Sequence, residues 1–97
     1  MKPRKAREIE AALLQKGFLK RTSHHNLFYL CIDGKITGVH TFMSHGVREY
    51  GNPLLEKMKN QMHLSAKELE LFIRCPLTFE NYIALLKEQG IVKNDKN

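Results

Sequence analysis

The pair Asp33-Gly34 stands between two runs of strand-forming residues and limits the possible folds more than any other feature of the chain. Residues 25–32, before it, are rich in aromatic and branched side chains, and residues 35–42 follow it. Asp-Gly favours the tight turns that join adjacent antiparallel strands. The sequence therefore predicts a β-hairpin, with residues 18–22 as a third, shorter strand.

The register of this hairpin can be estimated by counting outward from the turn. Successive side chains of a strand point to opposite faces of the sheet, and both sets are largely apolar in residues 25–32. We therefore expect both faces of the sheet to be at least partly covered. The count places His40 opposite Leu27 or Phe28, and not opposite His24.

Helical patterns flank the strands. Apolar residues at spacings of three and four predict a helix over residues 5–16, which Gly17 ends. Residues 43–51 hold two glycines and few apolar residues, and are predicted to be a mobile loop. Three more helices follow. The first has Asn52 as N-cap and Pro53 at the first helical position, and it ends near residue 62. The second starts at a capping box of Ser65 and Glu68 and ends before Pro76, and the third has Thr78 as N-cap and ends at residue 89, before Gly90.

This order predicts an α+β fold in which an N-terminal helix, a three-stranded antiparallel sheet and further helices pack with the helices on one face of the sheet. The other face, or its edge loops, remains open to a ligand. We expect one domain over residues 1–97, with a core over 5–64, a helical extension over 65–92 and a frayed tail over 93–97.

Composition sets wider limits on the function. The net charge of +6 and the pI near 9.5 indicate an anionic partner without separating nucleic acid from acidic protein or lipid headgroups. No segment approaches the roughly 20 apolar residues of a membrane span, and the basic N-terminus lacks the apolar stretch of a signal peptide. We expect a cytoplasmic protein without a membrane partner, in which Cys31 and Cys75 are reduced core thiols.

His24 and His25 follow Lys20 and Arg21, and this combination suits chemistry on a phosphodiester. Imidazole exchanges protons near neutral pH. RNA is cleaved without a metal if the 2′-hydroxyl is deprotonated and the leaving 5′-oxygen is protonated, while a cation stabilises the phosphate charge. The alternative is that both histidines are polar turn residues that hydrogen-bond to backbone. Because adjacent strand residues point to opposite faces, we expect only one histidine and one of the two cations to act.

Four segments together resemble the HicA-type toxins of prokaryotic toxin–antitoxin pairs: Gln15-Lys16-Gly17-Phe18, Ser23-His24-His25, Asp33-Gly34-Lys35 and the helix from Asn52. The resemblance covers about residues 5–64. It implies a fold similar to a double-stranded-RNA-binding domain, cleavage of messenger RNA by one essential histidine, here His24, and a cognate antitoxin over the open sheet face and the His24 surface. Because this cleavage needs no metal, we expect no cofactor and no metal.

The resemblance and the charge pattern give the other candidate site residues. The imidazoles and cations expected to support His24 are His25, His45, Lys20 and Arg21. A double-stranded-RNA-binding fold contacts RNA through its first helix, and nearby lysines extend a positive surface. The expected RNA-contacting residues are Lys2, Arg4, Lys5, Arg7, Lys16, Lys57 and Lys59.

Three alternatives stay open. The same fold could bind RNA or a protein without cleavage. Residues 54–72 also resemble a helix-turn-helix that binds DNA, although Glu68 and Glu70 lie where such a helix normally presents basic or amide side chains. A zinc site among the five histidines lacks recognisable ligand spacing. The sequence leaves the oligomeric state and the RNA target open.

Overall fold

The computed structural model of the chain describes residues 1–74 and 76–92, which form four helices, a three-stranded antiparallel sheet and a two-stranded sheet. The predicted α+β class is confirmed. The predictions for Cys75 and for the tail 93–97 lie outside the described residues. In chain order the elements are β1 (Arg4–Lys5), α1 (Ala6–Gln15), β2 (Phe18–Thr22), β3 (Asn26–Ile32), β4 (Lys35–Met43), β5 (Glu49–Tyr50), α2 (Asn52–Met62), α3 (Ala66–Arg74) and α4 (Phe79–Glu88).

The larger sheet has the predicted strands in the order β2–β3–β4, each antiparallel to the next. Asp33 and Gly34 turn the hairpin, with φ angles of 52° and 79°. Both angles lie in the left-handed region that Asp tolerates and Gly adopts freely. The Asp-Gly pair therefore forms the predicted hairpin turn between β3 and β4.

The hairpin contains an irregularity that shifts its register. Next to the turn the ladder is regular, but three residues of β4 (37–39) then face a single residue of β3. Beyond this step Tyr29 pairs with His40. The predicted position of His40, opposite Leu27 or Phe28, is therefore wrong, because a count from the turn assumes a ladder without a bulge.

One face of the larger sheet packs against the helices. Phe18, Phe28 and Leu30 point to that side, and each is at most 2% exposed. On the opposite face, which we call the outer face, Leu19 is 58% and Ile36 is 63% exposed. The outward residues of β3, the central strand, are half-buried. The helices therefore lie on one side, and the outer face is open in the described part of the chain.

The segment predicted as a loop, residues 43–51, is only partly loop. Met43 completes β4, and β5 pairs antiparallel with β1, with Tyr50 opposite Arg4. A two-residue strand is too short to produce a detectable sequence period, which explains why it escapes prediction. The connection that remains, Ser44 to Arg48, is called loop 44–48 below.

The helix ends follow the predicted caps with one exception. The hydroxyls of Ser65 and Thr78 accept from the backbone N–H three residues later, both at 3.1 Å. For α2, the prediction of Asn52 as N-cap is wrong: Gly51 is the N-cap and Asn52 is the first helical residue. The Asn52 side-chain oxygen instead accepts from the N-terminal ammonium of Met1 at 2.8 Å, which ties the start of the chain to α2.

The C-terminal helices share the core of the rest of the molecule. The ring of Phe72 in α3 lies edge-on to Phe18 of β2, with 6.1 Å between centroids, and 5.2 Å from the ring of Tyr82 in α4. The Tyr82 hydroxyl donates to the carbonyl of Met62 at 2.9 Å. Residues 65–92, expected to be an extension, therefore help to build the buried core.

Gly17 lies where α1 meets β2 and is required there for two reasons. Its φ of 93° is accessible to glycine and strained for other residues. A Cβ at this position would also lie 2.5 Å from a ring carbon of Phe79. The glycine that ends α1 thus also allows α4 to approach closely.

The helices are too short to cross a bilayer. The longest, α2, has 11 residues, whereas a span needs about 20. Within residues 1–74 and 76–92 no helix combines the necessary length and apolar character.

Candidate active site and basic surface

His24 lies in the turn that joins β2 to β3. Ser23, His24 and His25 are all exposed, and the Ser23 N–H donates to the His25 carbonyl at 3.0 Å, which closes the turn. An imidazole must be accessible to a ligand if it is to exchange protons with it. His24 meets this requirement.

A second imidazole is attached to the same turn. Nε2 of His45, in loop 44–48, lies 3.0 Å from the Ser23 carbonyl oxygen. A carbonyl can only accept, so Nε2 carries the hydrogen, and neutral His45 keeps a lone pair on Nδ1. The sequence left open whether His45 and His24 come close, and this hydrogen bond brings His45 to the residue that precedes His24.

Loop 44–48 is fixed at both ends. The Ser44 N–H donates to the hydroxyl of Tyr50 at 3.1 Å, and the Arg48 carbonyl accepts from the Ala6 N–H at 2.8 Å. Tyr50 is 3% exposed, and burial raises its pKa above the ordinary 10.0, although the Ser44 bond lowers it in part. Tyr50 therefore stays a neutral phenol at physiological pH. The loop connects the His24 turn to the first residue of α1.

A basic cleft of about 660 Å³ lies at the far end of this loop. Three cationic residues line it, Lys5, Arg7 and Arg48, together with Ala6, Val47 and Glu49. Arg48 is the third residue after His45, so their backbones are at most about 11 Å apart. The sequence predicts RNA contacts for Lys5 and Arg7 but not for Arg48. The sequence signal for Arg48 was weak, because it lies in a segment interpreted as loop.

Lys20 and Arg21 lie on opposite sides of β2, as their adjacency predicts. The Lys20 ammonium donates to the carboxylate of Glu10 in α1 at 2.7 Å, on the side that faces the helices. Arg21 is exposed on the outer face, where it pairs across the strands with Leu27. Of these two cations, Arg21 is the one whose charge is not engaged by a carboxylate in the described residues.

The outer face presents rings as well as aliphatic side chains. His25 packs edge-on against Phe42, with 5.2 Å between centroids, and Tyr29 lies 6.0 Å from His40. The thiol of Cys31 is free and half-buried on this face, so Cys31 is less buried than expected. The contact with Phe42 turns His25 toward the outer face.

Lys16 does not lie on the basic surface to which it was assigned. Lys16 is only 6% exposed. Its ammonium donates to the Phe72 carbonyl at 2.5 Å and lies 4.9 Å from the centroid of the Phe72 ring. A lysine at the C-terminal end of a helix is usually solvated, which is why the sequence suggests a surface role for Lys16. Here α3 covers it.

The remaining predicted lysines differ in accessibility. Lys57 is exposed and lines a small cleft with Ser44 and Tyr50, so it stands beside loop 44–48. Lys59 is half-buried and lies 3.4 Å from the carboxylate of Glu56. Lys57 therefore joins the surface around the loop, whereas the charge of Lys59 is partly balanced. Lys2 and Arg4 line a separate cleft.

The helix-turn-helix alternative corresponds to a real helix pair, α2 and α3, joined through His63 in a left-handed conformation with φ 62°. However, α3 turns Leu69, Phe72 and Ile73 into the core, and Glu68 and Glu70 remain partly exposed. In residues 1–74 and 76–92 there is no group of three or more His, Cys, Asp or Glu side chains placed to hold a metal ion.

Comparisons of the chain with protein-family models, curated proteins and solved structures found no match. The resemblance to HicA-type toxins therefore stays a prediction from the sequence motifs. What supports a function is the accessible turn, the second imidazole and the basic clefts.

Proposed function

We propose that this chain is a cytoplasmic RNA-binding protein and a metal-independent endoribonuclease of the HicA toxin type, with His24 as general acid or base. The observation that carries the proposal is the exposed His24 on a turn to which the imidazole of His45 is hydrogen-bonded. The order α1–β2–β3–β4–α2, with only the two-residue β5 between β4 and α2 and with helices on one face of the sheet, supports the double-stranded-RNA-binding-domain-like fold that the resemblance implies.

The chemistry requires two proton transfers. The ribose 2′-oxygen loses its proton and attacks the phosphorus, the bond from phosphorus to the 5′-oxygen breaks, and that oxygen gains a proton, which leaves a 2′,3′-cyclic phosphate. His24 serves one transfer. His25 and His45 are the candidates for the other, since both belong to or contact the same turn.

Cations hold the RNA and stabilise the phosphate in the transition state. Arg21 is the nearest candidate along the chain, because the ammonium of Lys20 is paired with Glu10. The cleft of Lys5, Arg7 and Arg48 holds a neighbouring part of the RNA backbone. Binding through these charges should weaken steeply with salt.

The outer face is the proposed contact surface for a cognate antitoxin. Leu19 and Ile36 are more than half exposed there, and His25 lies at the edge of the same face against Phe42. Exposed apolar side chains on a sheet favour a protein partner that covers them. A protein bound there would also cover the approach to the His24 turn.

The decisive test compares cleavage by wild type, His24→Ala and His40→Ala. Purified protein is incubated with end-labelled RNA in the presence of EDTA, and products are resolved on a denaturing gel. We expect His24→Ala to lose about 100-fold to 10,000-fold in rate, the usual contribution of a general acid or base. His40→Ala removes an exposed imidazole of β4 that is paired with Tyr29, away from the turn, and should keep the wild-type rate.

Equal rates for wild type and His24→Ala would refute the catalytic assignment. Intact RNA that nevertheless shifts on a native gel would support the alternative, a protein of the same fold that binds RNA without cleavage. Expression in a bacterium gives an independent check: the toxin assignment predicts growth arrest by wild type and normal growth with His24→Ala.

A further inference from the structure

A second cleft, of about 500 Å³, lies between the N-terminal segment and the C-terminal half of α3. Lys2, Pro3 and Arg4 line one side, and Glu70 and Arg74 line the other. Three cations therefore face this space together with one carboxylate. Arg74 is not among the basic residues that the sequence predicts to contact RNA, and the RNA contacts proposed for Lys2 and Arg4 do not involve α3.

The strand geometry of β1 explains why two separate clefts exist. Arg4 and Lys5 are consecutive strand residues, so their side chains point to opposite sides. Lys5 lines the cleft with Arg48, and Arg4 lines the cleft with Arg74. The pairing of Arg4 with Tyr50 fixes the backbone of β1, which separates the two clefts. The N-terminal segment thus presents cations to both sides.

The cations of the second cleft lack anionic partners in residues 1–74 and 76–92. The Nε atom of Arg4 is buried and makes no hydrogen bond with the described residues. Glu70 and Arg74 are one helical turn apart, yet the ion pairs of the described residues involve other side chains. A guanidinium nitrogen that is buried without an acceptor is unfavourable, and an anion bound beside it would compensate.

We propose that this cleft is a phosphate-binding site, in which Lys2, Arg4 and Arg74 hold one phosphate group. Guanidinium groups match the oxygens of a phosphate in geometry and charge. The volume exceeds that of a free phosphate and suits a phosphodiester with its flanking sugars, so we assign the site to a backbone phosphate of RNA, away from the bond cleaved at His24. That assignment rests on the proposed RNA-binding function.

The first experiment uses inorganic phosphate as the probe, with ¹⁵N-labelled protein at constant ionic strength and chloride as the reference anion. We expect phosphate to shift the amide signals of Lys2, Arg4 and Arg74 in wild type. Arg74→Ala should lose these shifts. Lys35→Ala, which removes one exposed positive charge at the hairpin turn, should keep them.

The second experiment measures the affinity for a single-stranded RNA in a His24→Ala background, where cleavage does not interfere. Removing Arg74 should weaken binding by about tenfold and reduce the salt dependence by about one phosphate contact. Glu70→Gln removes the one carboxylate that the described residues contribute to the cleft lining and should strengthen binding. Lys35→Ala in the same background removes the same charge as Arg74→Ala, so a loss confined to Arg74→Ala separates a local site from a change in net charge.

Phosphate shifts without any effect of Arg74→Ala on RNA would overturn the RNA assignment and leave a site for a small phosphorylated molecule. Absence of phosphate shifts, or equal losses in Arg74→Ala and Lys35→Ala, would overturn the site itself. If wild type binds RNA through Arg74 but never cleaves it, this inference stands and the proposed nuclease fails.

Discussion

The His24 turn with loop 44–48 and the aromatic cluster of Phe18, Phe72 and Tyr82 are held together by different forces. The turn consists of exposed side chains fixed by a few hydrogen bonds, whereas the rings of the cluster are at most 2% exposed and pack against each other. Burial of aromatic surface stabilises a fold by far more than an exposed hydrogen bond does. Substitutions in the first region should therefore change chemistry, and those in the second should change stability.

The largest effect is expected at Phe72. Phe72→Ala removes a ring that contacts Phe18 and Tyr82 and leaves a cavity, which should cost about 3–5 kcal/mol of unfolding free energy. Denaturant unfolding followed by circular dichroism measures this change. Leu14→Ala, at a residue that is 48% exposed, provides the control and should have a much smaller effect.

The same experiment tests whether α3 and α4 share one cooperative unit with the sheet. Because the cluster includes a strand residue and residues of both helices, wild type should unfold in a single transition. An early transition that accounts for the helices alone would contradict the view that residues 65–92 complete the core.

The features that the sequence predicts well depend on residues that lie close to one another in the chain. The amphipathic periods, the caps Ser65 and Thr78 and the Asp33-Gly34 turn are local features, and the structure confirms them. The two-residue strands β1 and β5 and the bulge in β4 are not local. They depend on pairing between distant residues and leave no period in the sequence.

The candidate site is predictable only in part for the same reason. Exposure of His24 follows from its place in a polar turn, but the contact of His45 with Ser23 spans 22 residues and needs the fold. Arg48 and Lys16 show the limit clearly. Both are basic residues at the ends of elements, but the packing of α3 buries Lys16, whereas Arg48 lines a cleft with Lys5 and Arg7, which are distant from it in the sequence.

The next largest effect on stability is expected at Lys16. This residue sharpens the comparison because its ammonium lies against Phe72, in the aromatic cluster, and not at the exposed turn. Lys16→Ala should cost about 1.5–3 kcal/mol of unfolding free energy, since a charged donor to the Phe72 carbonyl is lost in the interior. The RNA affinity of the folded protein should stay unchanged. A loss of affinity at temperatures where the variant is fully folded would show that Lys16 reaches RNA after all.

Tyr82 adds a dependence on pH to the same region. Burial raises the pKa of Tyr82 above the ordinary 10.0, so above about pH 10 the unfolded chain loses this proton while the folded chain keeps it. The contribution of Tyr82 to the unfolding free energy is therefore fully present below pH 10 and falls as the pH rises further. Tyr82→Phe should cost about 1 kcal/mol at neutral pH, through the lost bond to Met62, and the gap to wild type should narrow at alkaline pH. Unfolding curves between pH 8 and 11 measure both effects, and a constant gap would contradict the burial argument.

Arg48→Ala should have the smallest effect on stability. Its expected result is the reverse of that for Lys16→Ala, because RNA affinity should fall while stability stays nearly unchanged. The Arg48 carbonyl bonds to Ala6 regardless of the side chain, so Arg48→Ala should change the unfolding free energy by no more than about 0.5 kcal/mol. In the His24→Ala background, RNA affinity should fall by about fivefold to tenfold and the salt dependence should lose about one phosphate contact. Lys35→Ala removes the same charge at the hairpin turn, so an equal loss there would mean that RNA senses only the net charge of +6. A loss confined to Arg48→Ala, beside an unchanged affinity for Lys16→Ala, would show that position in the fold, and not the number of basic residues, determines which cations contact RNA.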